Sequence, residues 1–584
     1  MSTDTALAAD PVKIKYTITF PEAQAHYADV EMTISAIHQE SLDLKIPVWA
    51  PGSYLVREFA RNIESLTVSG DGKSLPVIKT RKNIWHMATH GISTVKVNYR
   101  VYAFELSVRT SFIDAEHAFL SSPDVFIYPG GMLQQPSTVH IVPYKGWREV
   151  STSLEKVNGD AFTRYAPNYD ILFDSPIEVG AQDIFGFKAA GVDYEVAMCG
   201  GGNYDKERIK NDFTKIIEEE TAIYGENPNK HYTFIVHNNL KGSGGLEHLS
   251  STTLGATRDG YNHAATYESF LSLAAHEHFH LWNVKRLRPI ALGPFDYDNE
   301  NYTTNLWIAE GFTAYYQDII VRRTQLYAPE NYLDLMAKQF SLLDNKPGAK
   351  VQSAAQGSYD AWIKAYRPNE NSDNTSISYY TKGAVIAFML DLDIIKNSGG
   401  KYSLDDVMKY MYNEYYKVKK RGYTDAEFKL GIEKFAGHKL DDFYTKYVNG
   451  VTPVDYNTYL GFAGYSISDE AAAKNAPALG VTLYPNIKRV IITGVIRGSA
   501  AWDSGINVND EIIAIDDHVV EAGTPMFGNK QPGEMIKVVL IRDGRELVLP
   551  VTLKRDSNVK FKITELPNST AQQLMVRKKW LTLK

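Results

Sequence analysis

The spacing of apolar residues changes twice along the 584-residue chain, and these changes limit the folds that it can adopt. Residues 11 to about 175 consist of short β-branched and aromatic runs separated by Gly, Pro, Asp and Asn, which predicts strands. Apolar residues then recur at helical spacing from about 180 to 460, and strands return from about 465 to 556. This order predicts an α+β chain built from several domains.

We place the domain boundaries at these changes of pattern. The prediction is a β-rich sandwich or saddle over residues 11–178, a mixed and mostly helical domain over 179–462, a β-barrel-like domain over 463–557 and a C-terminal tail over 558–584. In the second domain, Ala264–Leu287 and Trp307–Leu326 are the long helix candidates that matter for function.

Composition and charge exclude several functional classes. Hydrophobic residues make up 44% of the chain and charged residues 22%, so disorder of the whole chain is excluded. The formal net charge of −7 gives no general attraction to nucleic-acid phosphates or anionic lipid, so we expect no nucleic-acid partner and no membrane partner. The single cysteine, Cys199, excludes an internal disulfide framework and a cysteine-rich metal site. Any metal ion would therefore have to be held by histidines and carboxylates.

Targeting signals are weak in this sequence. It contains no run of about 18 apolar residues that would span a membrane. The start, Met1–Asp10, lacks the basic and apolar regions of a complete signal peptide, although Ala6–Ala8 is similar to the end of a cleavage site. We expect a soluble protein in the cytoplasm or the periplasm, and the removal of an upstream leader stays open.

The strongest chemical signal is an H-E-x-x-H motif formed by His276, Glu277 and His280. Four residues turn an α-helix by about 400°, so the two histidines lie about 40° apart on one face and can reach one tetrahedral Zn²⁺ ion. Glu277 lies on the same turn, where it can take a proton from water rather than ligate. His278 points about 200° away from His280, so we expect it at the surface or behind the ligands.

A catalytic zinc site needs a third protein ligand beside these two histidines. Glu310 lies in an apolar, aromatic segment, where a buried carboxylate is costly unless it is paired or bound to a metal ion. Glu300 is the alternative, but its polar surroundings are typical of a loop with a solvated charge. We therefore predict that Glu310 is the third ligand and keep Glu300 as the runner-up.

The H-E-x-x-H motif and the W-I-A-E-G-F segment over Trp307–Phe312 resemble the glycyl aminopeptidase family of gluzincin zinc metallopeptidases. That family is related to the aminopeptidase N group, whose W-x-x-E-G-F segment supplies the third zinc ligand. The connection from His280 to Glu310 is longer than in aminopeptidase N and fits the glycyl aminopeptidase branch. The resemblance implies a thermolysin-like catalytic domain, one Zn²⁺ per chain, and removal of N-terminal glycine or alanine.

Further segments are similar to elements of the same family. Gly244, Gly245 and Glu247 match the G-x-M-E-N element, whose Glu binds the α-amino group of the substrate, and the glycines allow a close backbone approach. Without that resemblance, a glycine-rich turn with an exposed Glu is the alternative. Tyr380 matches the tyrosine of the family's Y-x-K-G-A segment, which implies a donor to the oxyanion, with a structural core tyrosine as the alternative. The Pro-Gly turn over Trp49–Tyr54 resembles the N-terminal domain of the family, although its chemistry alone predicts a packed corner.

The third part of the chain resembles a PDZ domain. Leu479, Gly480 and Val481 match the carboxylate-binding loop and the strand that follows it, and Val508–Asp516 matches the core turn. The segment Thr524–Phe527, where the groove helix would follow, is short and contains a proline. Capture of an extended peptide by strand addition and a purely structural role of this domain both stay open.

We predict from these features a zinc aminopeptidase that acts on peptides or protein N-termini. In this prediction Glu277 is the base, Tyr380 stabilises the oxyanion and Glu247 binds the substrate amine. One alternative is a zinc endopeptidase with substrates recruited by the PDZ domain, which differs only in the role of Glu247. The other is a catalytically inert PDZ scaffold, which the complete set of catalytic groups disfavours because an inert domain has no physical need for all of them.

Overall fold

The computed structural model describes residues 13–157, 159–484, 488–521, 523 and 526–582. The Met1–Asp10 segment, and the first two residues of the expected groove helix, Thr524 and Pro525, lie outside the described residues. The chain divides into two compact units, one formed by Met1–Tyr302 with Met411–Tyr423 and the other by Thr303–Tyr410 with Thr424–Lys584. None of the described helices has the length and the apolar character that crossing a membrane requires.

The first unit consists mainly of short strands with few helices between them. Its helices are α1 (Ser122–Val125), α2 (Tyr169–Phe173), α3 (Lys206–Tyr224) and α4 (Ala264–Phe279). Its strands are β1 (Lys13–Thr19), β2 (Tyr27–Ser35), β3 (Ser41–Lys45), β4 (Ile63–Gly70), β5 (Lys73–Leu75), β6 (Ile78–Arg81), β7 (Ile84–Ala88), β8 (Thr94–Tyr102), β9 (Phe104–Ser107), β10 (Thr110–Ile113), β11 (Ala118–Leu120), β12 (Tyr128–Pro129), β13 (Ser137–Val142), β14 (Glu149–Thr152), β15 (Glu155–Lys156), β16 (Thr163–Ala166), β17 (Ile177–Gly180), β18 (Asp183–Ala189), β19 (Val192–Cys199), β20 (His231–Asn239), β21 (Gly245–Glu247) and β22 (Ser251–Thr257).

The N-terminal sheets have the strand orders β15-β16-β13-β1-β2-β8-β4-β5, β14-β17-β11-β10-β9 and β12-β3-β7-β6. Alternation along the strands builds their core, because every second side chain points to the same face. In β2 the buried positions are Ala28, Val30, Met32 and Ile34, and all four belong to one large apolar cluster. The predicted β-rich N-terminal region is confirmed.

The sheet that positions the candidate site has the order β18-β19-β20-β22-β21. Strands β19, β20 and β22 are parallel, and α3 makes the crossover that a parallel pair requires. The edge strand β21 runs antiparallel to β22, with Glu247 opposite Thr252. Helix α4 follows β22 and packs against both β21 and β22.

The second unit is mostly helical before residue 465 and then consists mainly of strands. The remaining helices are α5 (Leu306–Ala309), α6 (Gly311–Arg323), α7 (Pro329–Asp344), α8 (Ala354–Tyr359), α9 (Ser372–Thr375), α10 (Tyr379–Asn397), α11 (Leu404–Met411), α12 (Asp425–Ala436), α13 (Asp441–Phe443), α14 (Tyr456–Phe462), α15 (Ala500–Ser504) and α16 (Ala571–Leu581). The remaining strands are β23 (Tyr465–Asp469), β24 (Pro477–Ala478), β25 (Val481–Leu483), β26 (Val490–Val495), β27 (Glu511–Ile515), β28 (His518–Val519), β29 (Met535–Arg542), β30 (Arg545–Thr552), β31 (Lys554–Arg555) and β32 (Phe561–Glu565).

Both long helix candidates are shorter in the structure than their apolar pattern predicts. Helix α4 ends at Phe279, because the chain turns after His280 to bring the Asn283 carbonyl oxygen to its ring. The second candidate divides at Glu310 into α5 and α6. The break lies beside Gly311, where the chain packs closely against Gly383 of α10.

The PDZ part has the strand order β25-β26-β27-β29-β30, with β28 beside β27, and a small apolar core of its own. It is hydrogen-bonded to α9 through the buried side chain of Asn374, which donates to the Val495 carbonyl oxygen at 2.7 Å and accepts from Arg497 N at 2.8 Å. The segment predicted as a tail forms β32, which pairs with β23, and α16, whose Trp580 is fully buried. The α+β multidomain class is confirmed.

Candidate functional site

The last turn of α4 carries two buried imidazoles that point at each other. His276 and His280 are 8% and 1% exposed, and their Nε2 atoms lie 3.1 Å apart. His280 donates from Nδ1 to the Asn283 carbonyl oxygen at 2.8 Å, so its Nε2 carries the lone pair. Two nitrogen ligands of a tetrahedral zinc ion, each about 2.0–2.1 Å from the metal, lie about 3.3 Å apart. The donor pair therefore fits the spacing around one zinc ion with little movement.

Two carboxylates lie beside the same imidazole. One oxygen each of Glu247 and Glu277 and one ring nitrogen of His280 all lie within 4.8 Å of one another, and the three residues are buried. Glu277 comes from α4 and Glu247 from the end of β21, so this grouping depends on the packing of the edge strand against the helix. Two carboxylates this close and this buried favour a proton or a cation between them.

Gly245 determines where Glu277 lies. A Cβ atom on Gly245 would be 2.3 Å from Oε1 of Glu277, so a larger residue at this position of β21 would displace the Glu277 side chain. The carbonyl oxygen of Gly245 accepts a hydrogen bond from Nη2 of Arg109 at 3.1 Å, which holds the edge strand. Sequence reasoning missed Arg109, because no motif links it to a residue 136 positions away.

Glu247 is 3% exposed, and its Oε1 accepts no hydrogen bond from the described residues. A Cβ atom on Gly52 would lie 2.5 Å from this oxygen, and Gly52 has a left-handed φ of +92°. The turn predicted as a packed corner is packed, with Trp49 donating from Nε1 to the Asp296 carbonyl oxygen at 2.7 Å. It also borders Glu247, which the sequence did not predict. A buried carboxylate oxygen without a donor is costly, so its surroundings suit a cationic ligand.

Asp174 links the end of β21 to the chain that follows α4. Its Oδ1 accepts from Nδ1 of His248 at 3.1 Å and from Nζ of Lys285 at 2.8 Å, and its Oδ2 accepts from Leu249 N at 2.8 Å. Burial alone would raise the pKa of Asp174, but the charge of Lys285 and the hydrogen bond from His248 outweigh burial and lower this pKa to about 2. The ionised Asp174 therefore holds the strand that carries Glu247.

His278 is not a surface residue, which is the first of the two positions expected for it. It is fully buried, with Nε2 3.0 Å from the Tyr194 hydroxyl and Nδ1 in contact with Glu220. Burial lowers the pKa of His278 to about 3 and raises that of Glu220, so the pair is neutral. Its ring stabilises the packing of α4 on the sheet.

The predicted third ligand and the predicted oxyanion donor lie in the second unit. Glu310 is 2% exposed between α5 and α6, and Tyr380 is partly buried in the first turn of α10. A Cβ atom on Gly311 would lie 2.5 Å from the Cα of Gly383, so α6 and α10 cross in close contact where these glycines meet. The two glycines thus bring the helix ends that carry Glu310 and Tyr380 together. Glu300, the runner-up ligand, is partly exposed in a loop of the first unit.

The predicted peptide loop of the PDZ part has the backbone that such a turn needs. Gly480 has a left-handed φ of +74°, and a Cβ atom on it would meet Ser499 at 2.3 Å. Leu479 is buried in the PDZ core, and its carbonyl oxygen accepts from Ala501 N at 2.9 Å. Val481 begins β25, the edge strand of the described sheet.

The chain is similar to several known proteins and family models. Family models match for the Peptidase M61 N-terminal domain over residues 15–181, the M61 glycyl aminopeptidase over 269–386 and a PDZ domain over 477–553. A crystal structure of an aminopeptidase N family protein from Idiomarina loihiensis is 30% identical, with a TM-score of 0.91, and the match covers 97% of this chain and 100% of that chain. An M1 zinc metallopeptidase from Deinococcus radiodurans is 12% identical with a TM-score of 0.46, over 74% of this chain and 92% of that chain. No curated protein matches the chain.

The whole-chain match at 30% identity and the three family matches lie on the parts of the chain whose geometry is described above. The H-E-x-x-H residues and the W-I-A-E-G-F segment both fall within the matched range 269–386. The chain therefore belongs to the M61 glycyl aminopeptidase family and is a metallo-aminopeptidase with a C-terminal PDZ domain.

Proposed function

We propose that this metallo-aminopeptidase uses zinc and removes small residues, glycine or alanine, from the N-termini of peptides or proteins. The observation that carries the proposal is the buried Glu247, whose Oε1 has no hydrogen-bond donor among the described residues and which lies beside Glu277 and His280. Such a carboxylate can pair with the protonated α-amine that only an N-terminal residue offers.

The metal would be held by His276, His280 and Glu310. The spacing of the two Nε2 atoms supports the histidines, and the burial of Glu310 in an apolar segment supports a carboxylate that needs a cation. Zinc bound there would supply Lewis-acid activation of water and of the scissile carbonyl group. One ion per chain is sufficient for this chemistry.

The protein groups move the protons. Glu277 takes the proton of the attacking water and delivers it to the leaving amine, and Gly245 leaves the space in which the Glu277 side chain lies. The phenol of Tyr380 donates a hydrogen bond to the developing oxyanion, where a positioned donor acts mainly in the transition state. The backbone at Gly244 and Gly245 lies along an extended substrate.

The space next to Glu247 is narrow. The cavity between Glu247, Gly52, Trp49 and Phe295 has a volume of about 10 Å³. That is about the space that one water-sized group needs. Lys285 and Arg288 also line this cavity, so it has no room for a bulky group beside Glu247. The preference for glycine or alanine rests on the resemblance to the family.

In this proposal one side of the PDZ part is attached to α9, and another side binds an extended peptide. The hydrogen bonds of Asn374 attach it to α9, and Leu479, Gly480 and Val481 lie at the edge where an extended peptide would add a strand.

The experiment compares glycyl and N-acetylglycyl versions of one chromogenic substrate. In the wild type we expect kcat/KM to be roughly a hundredfold or more higher for the free amine, because an acetylated substrate leaves Glu247 buried without its cation. Glu247→Gln should remove most of this preference and keep the zinc content. Glu300→Ala, a change of a partly exposed carboxylate in the same unit, is the control and should keep the preference.

Two results would contradict the proposal. If the wild type cleaves the acetylated substrate as fast as the free one, the enzyme is an endopeptidase. If zinc-loaded wild type hydrolyses neither aminoacyl amides nor blocked peptides, the domain is an inert scaffold.

A further inference from the structure

We propose that the first unit contains a second metal site, for a zinc-class transition ion, formed by Glu178, Cys199 and His237. One ligand atom from each residue lies within 4.8 Å of the other two, and all three residues are buried. None of them belongs to the peptidase motifs. The only cysteine of the chain is thus placed beside a histidine and a carboxylate.

Strand pairing and the meeting of two sheets bring the three side chains together. Cys199 and His237 are direct neighbours in the parallel pair β19–β20, so their side chains point to the same face. Glu178 comes from β17, in another sheet of the same unit, and its side chain is fully buried. The cluster therefore lies where these two sheets meet.

The donor set has the chemistry of zinc or cobalt. A thiolate, an imidazole and a carboxylate are ligands that zinc-class ions accept, whereas Mg²⁺ and Ca²⁺ prefer oxygen ligands alone. Oε2 of Glu178 is 2.9 Å from Nε2 of His237, slightly less than the separation of about 3.3 Å between two ligands of a tetrahedral ion. Without a metal ion, Nε2 of His237 donates its hydrogen to the ionised Glu178 carboxylate. On binding, the Cys199 thiol and Nε2 of His237 each lose a proton to solvent, and both then offer a lone pair to the ion.

His117 supports the cluster from behind. Its Nδ1 lies 2.7 Å from Oε1 of Glu178, the oxygen that does not contact His237. A histidine bonded to the outer oxygen of a ligating carboxylate fixes the direction of the inner oxygen. His117 is therefore a positioning residue and not a ligand in this proposal.

A cavity of about 610 Å³ opens onto the cluster, and it gives an ion a path of entry and room for an exchangeable ligand. Two buried polar atoms in its wall, Oε1 of Gln182 and Nδ2 of Asn238, have no hydrogen-bond partner among the described residues. Buried polar atoms normally find partners, so these two indicate a polar occupant such as water bound near an ion. Glu178 also bridges His117 and His237. If this bridge served only stability, it would need neither the cavity nor Cys199 beside it.

The proposed site lies apart from the peptidase helix. His278 of α4 contacts Tyr194, near the start of β19, whereas Cys199 is the last residue of that strand. Five residues of strand separate Tyr194 from Cys199 by roughly 16 Å. Metal binding at the two places can therefore be measured separately.

Cobalt titration of the full-length, metal-free protein tests the proposal. Because the chain has one cysteine, near-ultraviolet thiolate-to-cobalt charge transfer reports on Cys199 alone. We expect this band in the wild type, with about two Co²⁺ bound per chain. Cys199→Ser should lose the band and one ion, while Glu310→Ala should keep the band. His117→Ala should keep the band but weaken cobalt binding at this site about 10–100-fold.

The wild-type spectrum makes the test independent of how the variants fold. Absence of the thiolate band at saturating Co²⁺ in folded wild type overturns the proposal, and the cluster is then a structural ion network. A band that disappears in Glu310→Ala, with that variant still folded by circular dichroism, overturns the separation of the two sites.

Discussion

Gly245 and Glu277 lie so close together that a side chain on Gly245 would displace the carboxylate of Glu277. A Cβ atom on Gly245 would lie 2.3 Å from Oε1 and 2.4 Å from Cδ of Glu277. Both distances are far inside van der Waals contact, and Glu277 is the group that we propose as the base. The orientation of the base is therefore set by a glycine in the neighbouring strand and not only by its own helix.

Replacing Gly245 should impair turnover without removing the metal. Gly245→Ala pushes the Glu277 carboxylate out of place, and a misplaced base is expected to lower kcat about 100-fold. Zinc content should stay at the wild-type value, because the change does not touch the ligands. Gly461→Ala is the matched control, since a Cβ atom there meets no atom within 4 Å. If Gly245→Ala has the kcat of the wild type, Glu277 tolerates the added Cβ atom and the prediction is wrong.

Glu277→Gln should keep zinc and lose nearly all activity. The amide has the size of the carboxylate but cannot accept the proton of water, so we expect a fall in kcat of about 10²–10⁴-fold. Activity and metal content measured on the same sample decide the matter. Substantial turnover in a metal-loaded variant would assign the role of base to another residue.

Tyr380→Phe should lower kcat more than it raises KM. A donor to the oxyanion acts in the transition state, and loss of one such donor typically costs about 10²–10³ in kcat. A change in KM alone would mean that the phenol binds the ground-state substrate instead.

Glu310→Ala should lose the zinc that we propose is held by His276, His280 and Glu310, whereas Glu300→Ala should keep it. The reason is that, of these two residues, Glu310 is buried in an apolar segment, whereas Glu300 is partly exposed in a loop. Metal analysis after dialysis, on variants with matched circular dichroism spectra, measures the difference. Loss of zinc from the Glu300 variant alone would reverse the assignment of the third ligand.

Asp174 should contribute to stability above pH 4 and lose that contribution in acid. Its pKa lies at about 2 in the fold against 3.8 in an unfolded chain, a difference equivalent to about 2 kcal/mol. A lowered carboxyl pKa stabilises the fold at higher pH, and this stabilisation decreases as the pH falls from about 4 towards 2. The difference in unfolding free energy between wild type and Asp174→Asn, measured by urea in the presence of a chelator, should shrink from about pH 5 to pH 3. If the difference in unfolding free energy stays constant over this pH range, the interactions of Asp174 with His248 and Lys285 do not stabilise the fold through charge.

Much of the site was readable from the sequence because its geometry is local. The pairing of His276 with His280 follows from helical spacing, and the fixed turn of a helix brings i and i+4 together wherever the helix lies. The β-rich start, the helical middle and the PDZ pattern also follow from local periodicity, and the comparisons support all three. The break of the second helix at Glu310 was missed, because it depends on the contact between Gly311 and Gly383.

Other features were decided only by tertiary structure, for a physical reason that applies to each of them. Gly52 meets Glu247, and Arg109 holds the carbonyl oxygen of Gly245, across long stretches of chain. Such contacts arise when sheets pack and edge strands pair, and no spacing along the chain encodes which distant residues will meet. The sequence by itself thus determined the H-E-x-x-H helix and the family, while the packing of strands decided what surrounds Glu247 and gave the lone Cys199 its histidine neighbour.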